Sequence, residues 1–163
     1  MRSRARFAGH AVHPMLVVFP LGLLVTAVVF DALFYVTGGA DFAVAGAYTM
    51  AAGVVGGSVA STFGWVDWSS LPAGTRARRI GLVHGLTNAV VITLFAVSWL
   101  VRLTGETWEP TSTSLVLALA GLALVVFGGW LGAELVERHA VGVDEDASLN
   151  ALKMATPGKA QHA

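Results

Sequence analysis

Residues 14–36 read PMLVVFPLGLLVTAVVFDALFYV, an apolar run broken by one charge, Asp31. At about 1.5 Å of rise per residue, a helix of this length crosses the roughly 30 Å hydrocarbon core of a bilayer. Three further runs share the pattern: residues 42–66, 80–101 and 114–135. Thr37-Gly38-Gly39-Ala40-Asp41 is too short to be anything but a turn, so the first two spans form an antiparallel hairpin. Residues 68–79 make a central loop containing Ser69-Ser70, Pro72 and Gly74, and residues 102–113 a third loop closing on Glu109-Pro110. The fold class is therefore all-α: an integral membrane four-helix bundle over residues 1–143. A polar cytoplasmic tail, read as partly disordered, follows over residues 144–163.

Composition agrees. The chain has 163 residues, 55% hydrophobic and only 12% charged, with a mean hydropathy of +0.70. Soluble domains carry roughly twice that share of charge, about 25%. The formal net charge is zero, which gives no reason to expect a nucleic-acid partner. Cysteine is absent. Thiolate catalysis, disulfides, iron–sulfur ligation and cysteine zinc sites are excluded with it. Arg2, Arg4 and Arg6 resemble the start of a secretory leader, but the apolar run is too long and Asp31 stands where a cleavage site belongs. The segment reads as a retained helix.

Basic residues orient the spans. Arg2, Arg4 and Arg6 precede the first span, Arg76, Arg78 and Arg79 sit between the second and third, and Arg138, Lys153 and Lys159 follow the fourth. Only Arg102 falls on the other side. Both termini and the central loop are expected in the cytoplasm, with Trp65, Trp68 and Trp130 as interfacial anchors.

Span two is rich in small residues, and Gly53/Gly57 and Gly128/Gly132 each make a GxxxG step. Such steps serve dimers or close packing within one chain, and a four-helix bundle already needs the latter. Pro14 suits the first turn of a helix, while Pro20 lies inside the first span and should bend it.

Orientation collects the polar residues. His13 opens span one, Asp67 closes span two, His84 lies one turn into span three and Glu134 near the end of span four, all on the inner side. Asn88 follows His84 by four residues and shares its helical face. Ionisable groups at membrane depth are costly, so they mark candidate sites. His13 and His84 are the candidate ligands, with Asp67, Asn88 and Glu134 as their supporting shell or a structural network. Glu137, Arg138 and His139 read as ordinary headgroup-level polarity. Asp31 and Tyr35, on one face near the outer end of span one, read as structural. A faint repeat is also visible. Each half begins with a histidine and returns to a Gly-Trp step, Gly64-Trp65 and Gly129-Trp130, with an acid nearby. Two such hairpins would be related by an axis along the membrane normal, and chance likeness between two compositionally biased stretches is an equal reading.

The landmarks His13-Pro14, Phe19-Pro20, Gly64-x-x-Asp67, His84-x-x-x-Asn88 and Val141-Gly142-Val143-Asp144 occur in an order and spacing that resembles the DUF2231 family of predicted membrane proteins. The resemblance covers residues 10–146. It implies a four-helix bacterial membrane domain without an established activity, some of whose relatives carry a Rieske-type iron–sulfur domain. Gly132-Ala133-Glu134 and His139-Ala140 depart from the family pattern, which often has a histidine after paired glycines, so a ligand from the fourth helix is not carried over.

Three functions compete. The first is cofactor binding for electron transfer, with a b-type haem or a metal held by His13 and His84, since neutral imidazole is the usual axial ligand in helical bundles. The second is a non-catalytic anchor or assembly subunit whose polar cluster fixes helix packing. The third, ranked last, is passage of a small solute or protons through an oligomer. Short loops leave no cleft for a soluble substrate, so an enzyme is disfavoured. The partner expected is the lipid bilayer, with a second copy of the chain or a redox protein as candidates beside it and no nucleic acid.

Overall fold

The computed structural model describes residues 2–105, 107–144 and 147. The predicted disordered tail lies almost entirely outside them. Four helices make up the body: α1 (Val12–Thr37), α2 (Ala40–Ser69), α3 (Arg76–Arg102) and α4 (Ser112–Glu137). All four are long and apolar enough to cross a membrane. Each overruns its apolar stretch by up to four residues. The backbone stays hydrogen-bonded until a polar cap takes over. Thr75 accepts from the Arg78 N–H and Thr111 from the Ser114 N–H, while Gly38 ends α1 in the left-handed region (φ 71°), its N–H reaching Phe34 O at 2.8 Å.

A short antiparallel hairpin, β1 (Arg6–Phe7) and β2 (His10–Ala11), precedes α1. Ala8 and Gly9 turn it with positive φ. The alternation that marks longer strands is lacking in so short a pair, and sequence reading does not find it.

The helices pack in antiparallel pairs, α1 with α2 and α3 with α4, and both termini of the bundle meet the α2–α3 loop at one end. Lipid offers apolar side chains no reason to leave it, so the pairs are held by close fit. A Cβ on Gly53 would lie 2.7 Å from Leu24 Cδ2, and one on Gly121 would lie 2.8 Å from Phe95 Cε2. α1 continues through Pro20, whose ring is buried against Gly57. Both GxxxG steps therefore serve packing within the chain. Leu24, Ala27, Val28, Met50, Val91, Phe95 and Ala118 fill the centre, whereas Val18, Phe19, Val55, Val116 and Val126 face outward.

The two pairs repeat one another. Leu24 sits on Gly53 as Phe95 sits on Gly121. Ala27 meets Gly46 as Ser98 meets Ser114, whose carbonyl accepts from Ser98 Oγ. In each case the first helix shifts by 71 residues, the separation of Asp31 and Arg102, and the second by 68. The halves are thus related by a two-fold pseudo-axis running along the bundle. The Gly64-Trp65 to Gly129-Trp130 match misses this register by three residues; the contacts pair Gly64 with Gly132 instead.

Candidate functional site

Residues that touch their own equivalents must lie at the pseudo-axis. Two pairs do so, one at each end. They are separated by eighteen residues of α1, about 27 Å at helical rise, close to the thickness of a hydrocarbon core.

At the end holding the termini stand His13 and His84. Their ring centres are 6.5 Å apart and the rings are perpendicular, at 89°. His13 Nδ1 lies 2.8 Å from Ala60 O on α2, and His84 Nδ1 lies 2.9 Å from Gly128 O on α4. These bonds obey the same 71 and 68 register. A carbonyl has no proton to give, so each Nδ1 carries the hydrogen, and a neutral ring then presents its lone pair at Nε2. His13 Nε2 has no hydrogen-bond partner among the described residues. Asn88 Nδ2 donates to its own helix at His84 O, 2.9 Å away. It stands nearly equally far from both ring nitrogens of His84, at 3.4 and 3.2 Å. That equality places the amide over the ring and not in its plane, so it steadies the imidazole without occupying the lone pair.

Glycine makes this possible. A Cβ on Gly64 would come within 3.0 Å of His13 Cε1, one on Gly132 within 3.2 Å of His84 Cε1, and one on Gly128 within 3.1 Å of Asn88 Oδ1. The rings are seated against bare backbone of α2 and α4.

The acids predicted to support this pair do other work. Asp67 is gathered by the amino-terminal arm: its carboxylate accepts from Ser3 Oγ (2.7 and 2.8 Å), Arg4 N (2.9 Å) and Ala5 N (3.2 Å). Glu134 pairs with Arg138 at 3.0 Å, one turn along α4. The arm is tied a second time by Asp144, bonded to Arg6 at 2.7 Å and to Arg2 at 3.1 Å. The Arg6 hydrogen bond holds the Asp144 carboxyl below the usual aspartate range, with the charge of Arg2 adding to it. Of the five candidate residues, then, His13, His84 and Asn88 come together, while Asp67 and Glu134 are engaged elsewhere. Depth alone cannot distinguish these cases, because neighbours at one depth face different directions around a bundle.

At the opposite end Asp31 and Arg102 form a two-bond ion pair, Nη1 to Oδ1 at 2.7 Å and Nη2 to Oδ2 at 2.5 Å, with both side chains 0% exposed. Gly46 admits it: a Cβ there would stand 2.9 Å from Asp31 Oδ1. Trp108 packs on Trp99 and Tyr48, and Tyr35 donates to Pro110 O at 2.8 Å, drawing the α3–α4 loop onto the helix ends. Asp31 and Tyr35, read from the sequence as structural, take partners that the sequence reading does not identify. Arg102 was read only as the lone basic residue on its side. An opposite charge at the matching depth of span one was the signal that could have joined them.

The family model described as "Predicted membrane protein (DUF2231)" matches residues 9–145. No curated protein and no solved structure matches the chain.

Proposed function

The chain belongs to the DUF2231 family of predicted membrane proteins, and from that premise we propose that it is a membrane module that holds a transition-metal centre between His13 and His84. The observation carrying this reading is the matched pair of Nδ1–H bonds to Ala60 O and Gly128 O. Metal-binding histidines characteristically donate their second ring N–H to a carbonyl or carboxylate, which fixes the tautomer and aims the other nitrogen. Here the same device occurs twice, on two rings whose centres lie 6.5 Å apart at the pseudo-axis. Two imidazoles on opposite sides of one metal, with bonds of about 2.0–2.1 Å, place their centres roughly 6 Å apart. The rings stand at 6.5 Å.

A b-type haem meets the ligand requirement but asks for far more room than an ion. The Cε1 edges of both rings rest on the backbone at Gly64 and Gly132, which favours the smaller occupant. By the distribution of arginine and lysine, this end of the bundle faces the cytoplasm, and the membrane is the inner membrane of a bacterium.

The test is metal analysis and an optical spectrum of the purified full chain, beside His13→Ala and His84→Ala. The reading expects a bound transition metal that both substitutions remove. Metal content equal in all three proteins overturns it.

A structural role is the second reading, favoured by the ease with which Asn88, His84 and Gly128 interlock. It expects His84→Ala to lower thermal stability in detergent whether or not metal is present. Transport is disfavoured by the centre of the bundle, where Leu24, Met50, Val91 and Phe95 leave the axis apolar between its two polar ends.

A further inference from the structure

From the donor set and its surroundings we infer that the ion taken by His13 and His84 is a soft monovalent one, Cu(I), bound by the two imidazoles alone. This rests on the paired-imidazole reading and goes on to choose among metals.

The first argument is ligand number. Among the described residues no group of three or more histidine, aspartate or glutamate side chains is placed to share an ion, and the chain has no cysteine. Zinc sites take three or four protein ligands, and magnesium and calcium take six or more oxygens. A two-nitrogen site suits a d¹⁰ monovalent ion, which accepts linear coordination by soft or intermediate donors.

The second argument is charge. The cost of taking an ion from water rises with the square of its charge, so a divalent ion needs an anionic ligand to enter a half-buried site. None is offered. Both imidazoles donate Nδ1–H to a carbonyl, so the form that can bind an ion through Nε2 brings no negative charge. Asp67 is saturated by Ser3, Arg4 and Ala5, and Glu134 is neutralised by Arg138. Asn88 Nδ2, 3.2 Å from His84 Nε2, is a donor. A site of two neutral nitrogens between apolar helices discriminates against divalent cations by what it lacks.

The third is fit. Gly64 and Gly132 seat the Cε1 edge of each ring against bare backbone, which limits the ring movement that four-coordinate geometry or a macrocycle would require.

The experiment is a set of separate titrations of the purified full chain in detergent. The ligands are Cu(I) under reducing conditions with a chromogenic competitor, Zn(II), and haemin, each against wild type, His13→Ala, His84→Ala and His84→Met. Wild type should take one Cu(I) per chain, at least 100-fold more tightly than Zn(II), and both alanine variants should lose at least 100-fold in Cu(I) affinity. His84→Met, which keeps a soft ligand, should retain Cu(I) within about tenfold; it also keeps the test alive if an alanine variant misfolds. Zn(II) or haemin bound as tightly as Cu(I), and lost on histidine substitution, overturns the choice of ion and leaves the metal reading standing. Binding of every ligand unaffected by all three substitutions overturns both.

Discussion

The two ends of the pseudo-axis begin from equivalent positions and arrive at opposite chemistry. His13 and His84 are related by the same 71-residue step as Asp31 and Arg102. At the Asp31–Arg102 end the two groups consume one another: opposite charges, two direct bonds, no exposure. At the histidine end both groups are alike and half-buried, and each donates its Nδ1–H to a different helix. Two rings that each spend an Nδ1–H on a carbonyl have no such donor left for one another, so their remaining nitrogens stay available to a third party. One end closes the bundle; the other leaves it chemically open.

The ionic end offers the largest effect. Arg102→Ala leaves Asp31 charged and without its partner in a dry site, and should cost about 3–5 kcal/mol. The double variant Asp31→Leu with Arg102→Leu should recover most of that loss, because burying the ions was itself costly. Denaturation in mixed detergent micelles measures both. A single variant as stable as wild type would show the pair to be incidental.

Next is the packing that joins the ends. Gly121→Ala drives a methyl to 2.8 Å from Phe95 Cε2, in a ring 0% exposed, and should cost about 1–3 kcal/mol by overpacking. Gly22→Ala, with nothing within 4 Å of its new methyl, should instead gain about 0.5–1 kcal/mol from helix propensity. Equal effects at the two positions would contradict the view that glycine fit holds the hairpins.

At the histidine end, Gly132→Ala presses on His84 Cε1 from 3.2 Å. It should weaken metal affinity by about tenfold, at the lower end of what displaced supporting groups cost. The Arg102 variant, about 27 Å away along the bundle, should bind metal normally wherever it folds.

The smallest effect belongs to the amino-terminal arm. Asp144 titrates below its ordinary value of 3.8 because of Arg6. Its contribution is therefore fully present above that value and is lost only as pH falls through the lowered one. Protection of the amides of residues 2–11 should be independent of pH near neutrality and fall in strong acid, and Asp144→Asn should lower it near neutral pH with no further loss in strong acid.

Much of this architecture was legible beforehand, for physical reasons. The bilayer demands long apolar helices, so four spans can be counted, and the short Gly38-Gly39 turn dictates an antiparallel hairpin. Charge asymmetry gave depth, and depth was enough to pair His13 with His84. Direction around the bundle was not legible. Asp67 and Glu134 shared the histidines' depth, yet one turned to the arm and the other to Arg138. The Asp31–Arg102 pair was hidden by the same rule that oriented the chain, since a lone arginine on the far side was counted and not placed. The repeat was visible in its histidines but misread at its Gly-Trp steps, because only backbone contacts reveal which glycine faces which side chain.

The most direct measurement of the contrast between the ends is thermal unfolding of the full chain in detergent, with and without excess metal, Cu(I) and Zn(II) in turn. A ligand at 100 times its Kd should stabilise the folded state by about 2.7 kcal/mol. The account predicts a metal-dependent rise in Tm for wild type and Gly22→Ala, and none for His13→Ala or His84→Ala. A wild-type Tm that neither ion raises, or an equal rise in both histidine variants, would contradict it.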